Sequence, residues 1–453
     1  MRTTLNFMQH ARCLCLAVYT AVAAEETNLW QRETLTGDWG GTRGRWSEKG
    51  FDVGMGYTGE FLANVSGGVR RGALYQGLLK TLLDLDVEKM GGWKGGSVRA
   101  SGLWIHGTEP NNRADIAGMT GTAYLEVSGI SAFDTHRLYE LWFEQKLLDD
   151  KLSVRVGQLA LDEEFVASDY ASLFLNAASG WPLFLSATVP SGGPGYPVTG
   201  TGARVRVEPG ERLSFMTTLM EGDVGDQTSA NRTGTQFRLH ENEGVFALFE
   251  IAYRLNQEKN AKSLPGTYKL GGWYHSGRFD DLGFDTQGVS LADSNGIPLT
   301  HTGNGGIHLD IDQMIFREKA DAGEGLGVHC RVAPWLAGHR NPVDLYVAGG
   351  LVYKGLITDR DDDLFGVEVH FARVSNVVRD LQRTANAVAA AGGTPNLDPG
   401  PIPDHEMAVE VAYRIVLAPW WSVQPDFQYI FHPGGSKALR DAIVVGLRTQ
   451  VAF

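Results

Sequence analysis

The sequence predicts an all-β fold: a sixteen-stranded antiparallel transmembrane β-barrel with short periplasmic turns and long extracellular loops. Three observations carry this. Apolar and polar residues alternate with a period of two in segment after segment, which turns one face of a strand to lipid and the other to water. The connections between those segments alternate between short and long, as outer-membrane barrels require. The last stretch places Ile443, Val445, Leu447, Val451 and Phe453 on one face and ends on an aromatic residue, as a strand at a membrane interface does.

Size and composition agree. The 453 residues would ordinarily suggest two or three domains, but a barrel grows with strand number rather than core count. Hydrophobic content is 43% and mean hydropathy −0.16, and no run approaches the roughly 18 apolar residues of a membrane helix. Fifty-seven glycines suit turns and strand bends.

From the N-terminus, residues 1–24 read as a signal peptide. Arg2 and Arg12 are basic, Cys13–Ala23 is apolar, and Ala21-Val22-Ala23 is a cleavage site. Its removal takes two arginines and no acids, shifting the net charge from −13 to −15; so acidic a chain argues against a nucleic-acid partner. Cys330 alone then remains, which excludes an intrachain disulfide and a cysteine metal cage. Residues 25–50 form a short periplasmic segment and 51–453 the barrel. Strands are expected near 51–61, 79–88, 97–106, 137–147, 152–160, 201–208, 212–219, 244–254, 267–275, 307–317, 325–333, 344–353, 364–374, 405–415, 421–431 and 442–453. Long connections are expected at 62–78, 107–136, 161–200, 220–243, 276–306 and 375–404. Short helices are expected at Ser168–Asn176, capped by Ser168, and at Ser375–Ala391. Trp93, Trp335, Trp420 and Trp421 lie at turns or strand ends, fitting two interfacial girdles.

If apolar residues face lipid, their alternates line the lumen. Tyr139, Leu141 and Phe143 would face outward, and Glu140, Trp142, Glu144 and Lys146 inward. Asp84, Asp86, Arg99, Arg155, Arg204, Arg206, Glu250, Lys269, Asp310, Asp312, Arg331, Glu410, Arg414, Gln424, Asp426 and Gln428 are further lumen candidates. A lumen with both signs of charge suits a neutral polyol: arginines and carboxylates bond its hydroxyls, and an aromatic such as Trp142 covers its apolar face. The 162–200 loop is expected to fold into the channel. Enzymatic motifs are weak. There is no Gly-x-Ser-x-Gly or His-Glu-x-x-His, His275-Ser276 is the one hint of a barrel hydrolase, and Asp359–Asp363 lacks the glycine and distal glutamate of a calcium loop. No cofactor is implied.

Several motifs together are specific. They include Leu35-Thr36-Gly37-Asp38-Trp39-Gly40-Gly41-Thr42-Arg43, Gly67-Gly68-Val69-Arg70-Arg71-Gly72, Trp142-Phe143-Glu144-Gln145, Lys151–Gln158, Leu264–His275 and Gln424–Ile430. By these the chain resembles the carbohydrate-selective porins of the OprB family over nearly its whole mature length. The resemblance implies passive diffusion of sugars such as glucose through a Gram-negative outer-membrane barrel, selected by charged residues at a constriction. It also implies contact with outer-membrane lipid, recognition of the last strand by the assembly machinery, and a possible homo-oligomer. Candidate constriction residues are Arg70 and Arg71, beside glycines that allow an inward bend, with Asp84, Asp86, Arg99, Glu140, Trp142, Glu144 and Arg155. A general or ion-selective porin shares this fold, and a barrel hydrolase or adhesin shares much of it.

Overall fold

The computed structural model of the chain describes residues 28–107, 115–225, 231–237, 242–258, 261, 263–294, 296–318, 323–335 and 338–453. The expected signal peptide lies outside them. Sixteen strands form one closed barrel in sequence order. They are β1 (Phe51–Ser66), β2 (Gly72–Asp86), β3 (Gly96–His106), β4 (Thr135–Leu147), β5 (Leu152–Leu159), β6 (Gly200–Val207), β7 (Leu213–Glu221) and β8 (Val245–Leu255). There follow β9 (Gly266–Asp285), β10 (Pro298–Arg317), β11 (Gly325–Pro334), β12 (Val343–Lys354), β13 (Leu364–Val374), β14 (His405–Ala418), β15 (Trp421–Phe431) and β16 (Ala442–Ala452). β1 pairs antiparallel with both β2 and β16, so no strand edge is left unpaired in lipid.

The alternation works as expected. In β16, Val445 and Leu447 are exposed outward while Val444 and Arg448 are buried inside. In β14, Ala408, Glu410 and Ala412 are buried, with Met407, Val409 and Val411 on the opposite face. Lumen candidates Glu250, Lys269, Asp310, Arg331, Gln424 and Gln428 are likewise buried within the barrel.

Five expectations are corrected. The first loop is not 62–78, because β1 continues to Ser66 and β2 starts at Gly72. The 276–306 connection is mostly strand, since β9 and β10 continue to Asp285 and from Pro298. Both extensions are glycine-rich or polar, and alternation fades where a hairpin meets no lipid. Tyr139 faces the lumen with Glu140, because a β-bulge skips it: Ser101 pairs with Glu140 and Gly102 with Leu138. Trp335 is 8% exposed and belongs to the interior cluster, not a girdle. The helix Asn376–Ala390 forms as expected, whereas Ser168–Asn176 gives only a 3-10 turn at Ala171–Leu173. There the Ser168 hydroxyl accepts the Ala171 N–H at 3.0 Å.

Residues 28–50 lie at the short-turn end, tied to the barrel's closing strand. Leu35 N–H donates to the Ala452 carbonyl at 2.8 Å, and Trp420 Nε1 donates to Leu29 at 2.9 Å. From the other end, the 115–134 and 160–199 loops fold into the barrel. Their Leu125, Val127, Phe165, Val166, Leu183 and Phe184 are buried against Leu62, Phe246 and Tyr346 of the wall. The loop backbone is held by inward carboxylates. Glu410 accepts N–H bonds from Leu175 and Asn176 at 2.5 and 3.0 Å, and Glu250 accepts that of Val166 at 2.9 Å. Glu406 accepts three successive N–H groups, from Ala123 to Leu125. A buried backbone donor needs such a partner.

Candidate functional site

A cluster of ion-paired side chains that keep contact with solvent lies on the β2–β6 arc and at the start of the 160–199 loop. Register sets them in two neighbouring rows, Asp84 opposite Arg99 and Arg99 opposite Trp142 in one, Glu144 opposite Arg155 and Arg155 opposite Arg204 in the next. Gly157 faces Trp142 with φ 140°, and a Cβ there would strike the Leu141 carbonyl and the Trp142 backbone. Glycine is therefore required for β5 to approach β4 this closely beside Trp142.

The contacts form a network. Arg99 grips Asp84 with two bonds, at 2.7 and 2.9 Å. The Arg155 guanidinium lies 3.7 Å from the centre of the Trp142 ring, and that of Arg99 5.2 Å. Trp142 Nε1 donates to Glu140 at 3.0 Å, and the Ser101 hydroxyl donates to the other oxygen of Glu140 at 3.1 Å. Arg155 pairs with Glu144 at 3.6 Å and with Glu164 at 3.3 Å; Arg204 meets both carboxylates at 2.8 Å. Arg206 reaches Glu164 at 3.7 Å, and Lys80 pairs with Glu163.

Exposure separates support from lining. The Arg204 side chain is fully buried, whereas those of Arg155 and Arg99 keep 12% and 25% of their surface. Asp84, Arg206, Glu163 and Glu164 also keep contact with solvent. In the loop, burial works against the Glu164 charge, but Arg155, Arg204 and Arg206 outweigh it and hold this carboxyl below its usual range. Burial and neighbouring Glu163 push Asp162 up to about 6, against the Tyr196 N–H bond, Lys80 and Tyr139.

Of the nine sequence-derived candidates, Asp84, Arg99, Glu140, Trp142, Glu144 and Arg155 come together here. Three do not. Arg70 and Arg71 are exposed at the β1–β2 turn, whose backbone bonds to Met119 rather than bending into the constriction. Asp86 shares the face of Asp84 but stands at the strand end, where it accepts the Lys89 N–H at 3.1 Å. Trp142 is 5% exposed with Arg155 over its ring, so its face is not open to a solute. Sequence reasoning missed Glu163 and Glu164. The acidic run Asp162-Glu163-Glu164 at the start of the longest loop, opposite arginine-bearing strands, was the available signal.

The hydrolase pair is occupied structurally. His275 is 1% exposed, its Nε2 contacts the Gly222 carbonyl at 2.6 Å, and Ser276 accepts the Val245 N–H at 2.8 Å. In the 359–363 turn, Asp363 is held by Arg360 and Tyr413.

Residues 70–453 match the model of the carbohydrate-selective porin, OprB family. Porin B of Pseudomonas aeruginosa is 27% identical over 96% of this chain and 94% of its own length. QuiX of Acinetobacter baylyi, a putative porin, is 22% identical over 93% of each. Among solved structures, the high-pH structure of Pseudomonas putida OprB gives a TM-score of 0.82 at 26% identity, covering 93% of this chain and 99% of that one.

Proposed function

From the premise that this chain belongs to the carbohydrate-selective porin, OprB family, we propose that it passes monosaccharides, glucose among them, by passive diffusion through a constriction formed by the β2–β6 arc and the 160–199 loop. The chain is a carbohydrate-selective outer-membrane β-barrel channel, and sugars are its solutes. The observation that supports this constriction is charge balance. Lys80, Arg99, Arg155, Arg204 and Arg206 are interleaved with Asp84, Glu140, Glu144, Glu163 and Glu164. A lumen of one sign would favour ions of the other sign. A balanced one offers a neutral polyol donors from guanidinium groups and acceptors from carboxylates at the same level. Bonds to charged partners contribute roughly 1.5–3 kcal/mol each, weak enough for the solute to leave again.

Trp142 acts here as a platform: its ring aligns Arg155 and Arg99 by cation–π contact, worth roughly 0.5–2 kcal/mol each. Arg204 supports the same row from behind. Arg70, Arg71 and Asp86 have no part in this constriction. In the whole reading, residues 1–24 are removed on export, 25–50 remain periplasmic, and the assembly machinery recognises β16. The lipid-facing surface admits a homo-oligomer. The chain is read as a channel rather than an enzyme; His275 holds the Gly222 carbonyl and Ser276 the Val245 N–H.

Liposome swelling across hexoses, pentoses, disaccharides and gluconate tests the reading. Glucose should enter faster than gluconate of nearly equal size. Equal rates for both would point to a general pore instead.

A further inference from the structure

Above the constriction, between the 115–134 and 160–199 loops, lies a cavity of about 550 Å³. That volume is typical of small-molecule sites, which run from roughly 300 to 1,000 Å³. No barrel strand contributes to its walls. Most lining residues are glycine, alanine or serine, so backbone N–H and C=O groups stand close to the void. Tyr124, Trp181 and Tyr196 supply aromatic surface. Glu126 is the single carboxyl group in the lining, and no lysine, arginine or histidine joins it. The contrast with the arginine-rich constriction is one of chemistry as well as place.

Such a lining disfavours anions and offers hydroxyls, peptide groups and one carboxyl group beside aromatic rings. Those are the partners that a neutral polyhydroxylated solute uses. Burial pushes the Glu126 carboxyl up to about 7, with Ser131 opposing and Asp115 adding, so near neutral pH it both donates and accepts. The floor of the cavity joins the constriction through Tyr196. Its N–H donates to Asp162 at 3.1 Å, the Tyr139 hydroxyl donates to the same carboxylate at 3.2 Å, and Lys80 lies 5.3 Å from the centre of the Tyr139 ring.

We infer that this cavity is an outer binding station for a neutral sugar of hexose to disaccharide size, occupied before the solute meets the charged constriction. The inference rests on the sugar-porin reading above and adds a second site to it. A solute arriving from the long-loop side exchanges water for the station's peptide groups first, then passes Tyr196 to the arginine row. One arriving from the short-turn side reaches the arginines without using the station.

That asymmetry is the test. Ser186 lines the cavity from an exposed position, so Ser186→Trp fills it without disturbing a buried contact, while Glu126→Leu removes both the donor and the acceptor that the carboxyl group offers. Interruptions of single-channel current by D-glucose are recorded in oriented planar bilayers, with sugar added to one side at a time. Both variants should lower the association rate from the long-loop side, Ser186→Trp by about tenfold, and leave that from the short-turn side within about twofold. Unchanged rates from the long-loop side in both variants overturn the station while leaving the sugar-porin reading intact. Absence of glucose interruptions in the unmodified channel, from either side, overturns that reading and the station with it. Should Ser186→Trp not reach the folded, heat-modifiable form, Glu126→Leu alone decides.

Discussion

On the β2–β6 arc, Arg155 and Glu164 meet side chain to side chain at 3.3 Å, and both keep contact with water. On the β8–β15 arc, Glu410 meets the backbone N–H groups of Leu175 and Asn176 and is sealed from water. The two walls hold the same residue types and use them differently. On the first, charges of both signs keep contact with water, and there the proposed constriction lies. On the second, carboxylates are spent on fixing the loop that narrows the channel. Inward orientation alone therefore does not identify a selecting residue. In the proposed constriction, a candidate is set apart by the identity of its partner and by whether that partner leaves it touching water.

The comparison can be broken most severely at the anchoring wall. Glu410→Ala strands two buried N–H groups, at about 1–3 kcal/mol each, so the 174–176 segment should undock. Single-channel conductance should rise and glucose block disappear; Glu410→Gln, which keeps one acceptor oxygen, should fall between. On the selecting wall, Glu164→Gln removes the charge that Arg155, Arg204 and Arg206 share. The anion-to-cation permeability ratio, read from reversal potentials in a salt gradient, should rise roughly two- to fivefold, as one charge interacting by about 1 kcal/mol or less allows.

A smaller effect follows from pH. Asp162, raised to about 6, is neutral below that value and gains charge above it. Because its folded-state pKa is raised, its ionised form is disfavoured in the barrel, so the stabilising contribution belongs to acid pH and is lost as pH rises towards 6. Cation preference should step up between pH 5 and 7 in single-channel recordings, and Asp162→Asn should flatten that step. Least of all should change at the rim, where Arg70→Ala and Arg71→Ala each fall within about 0.5 kcal/mol of the unmodified channel in sugar affinity.

Much of this was legible in the sequence, for a physical reason. Lipid imposes a period of two, so β14 and β16 declare their faces residue by residue. Where lipid ends, the signal ends too, and the outer parts of β9 and β10 were read as loop. The bulge at Tyr139 inserts one residue into an otherwise regular strand, and alternation cannot announce an insertion. Glu140, Trp142, Glu144 and Arg155 were legible because adjacent short-turn strands keep a simple register. Glu163 and Glu164 were not, because their position depends on how a long loop crosses the lumen, which tertiary contacts with Glu250 and Glu410 decide. Glycines flanking Arg70 and Arg71 signalled a bend without its direction; the turn instead leans on Met119.

Sugar selection is proposed to reside on the β2–β6 arc and not at the rim. It is tested most directly by D-glucose block of single-channel current in three channels: unmodified, Arg155→Ala, and the double variant Arg70→Ala with Arg71→Ala. Arg155→Ala should raise the apparent glucose Kd by about tenfold, the equivalent of some 1.4 kcal/mol, while the double variant should stay within about twofold of the unmodified channel. Unmodified affinity in Arg155→Ala together with a tenfold loss in the rim variant would contradict it.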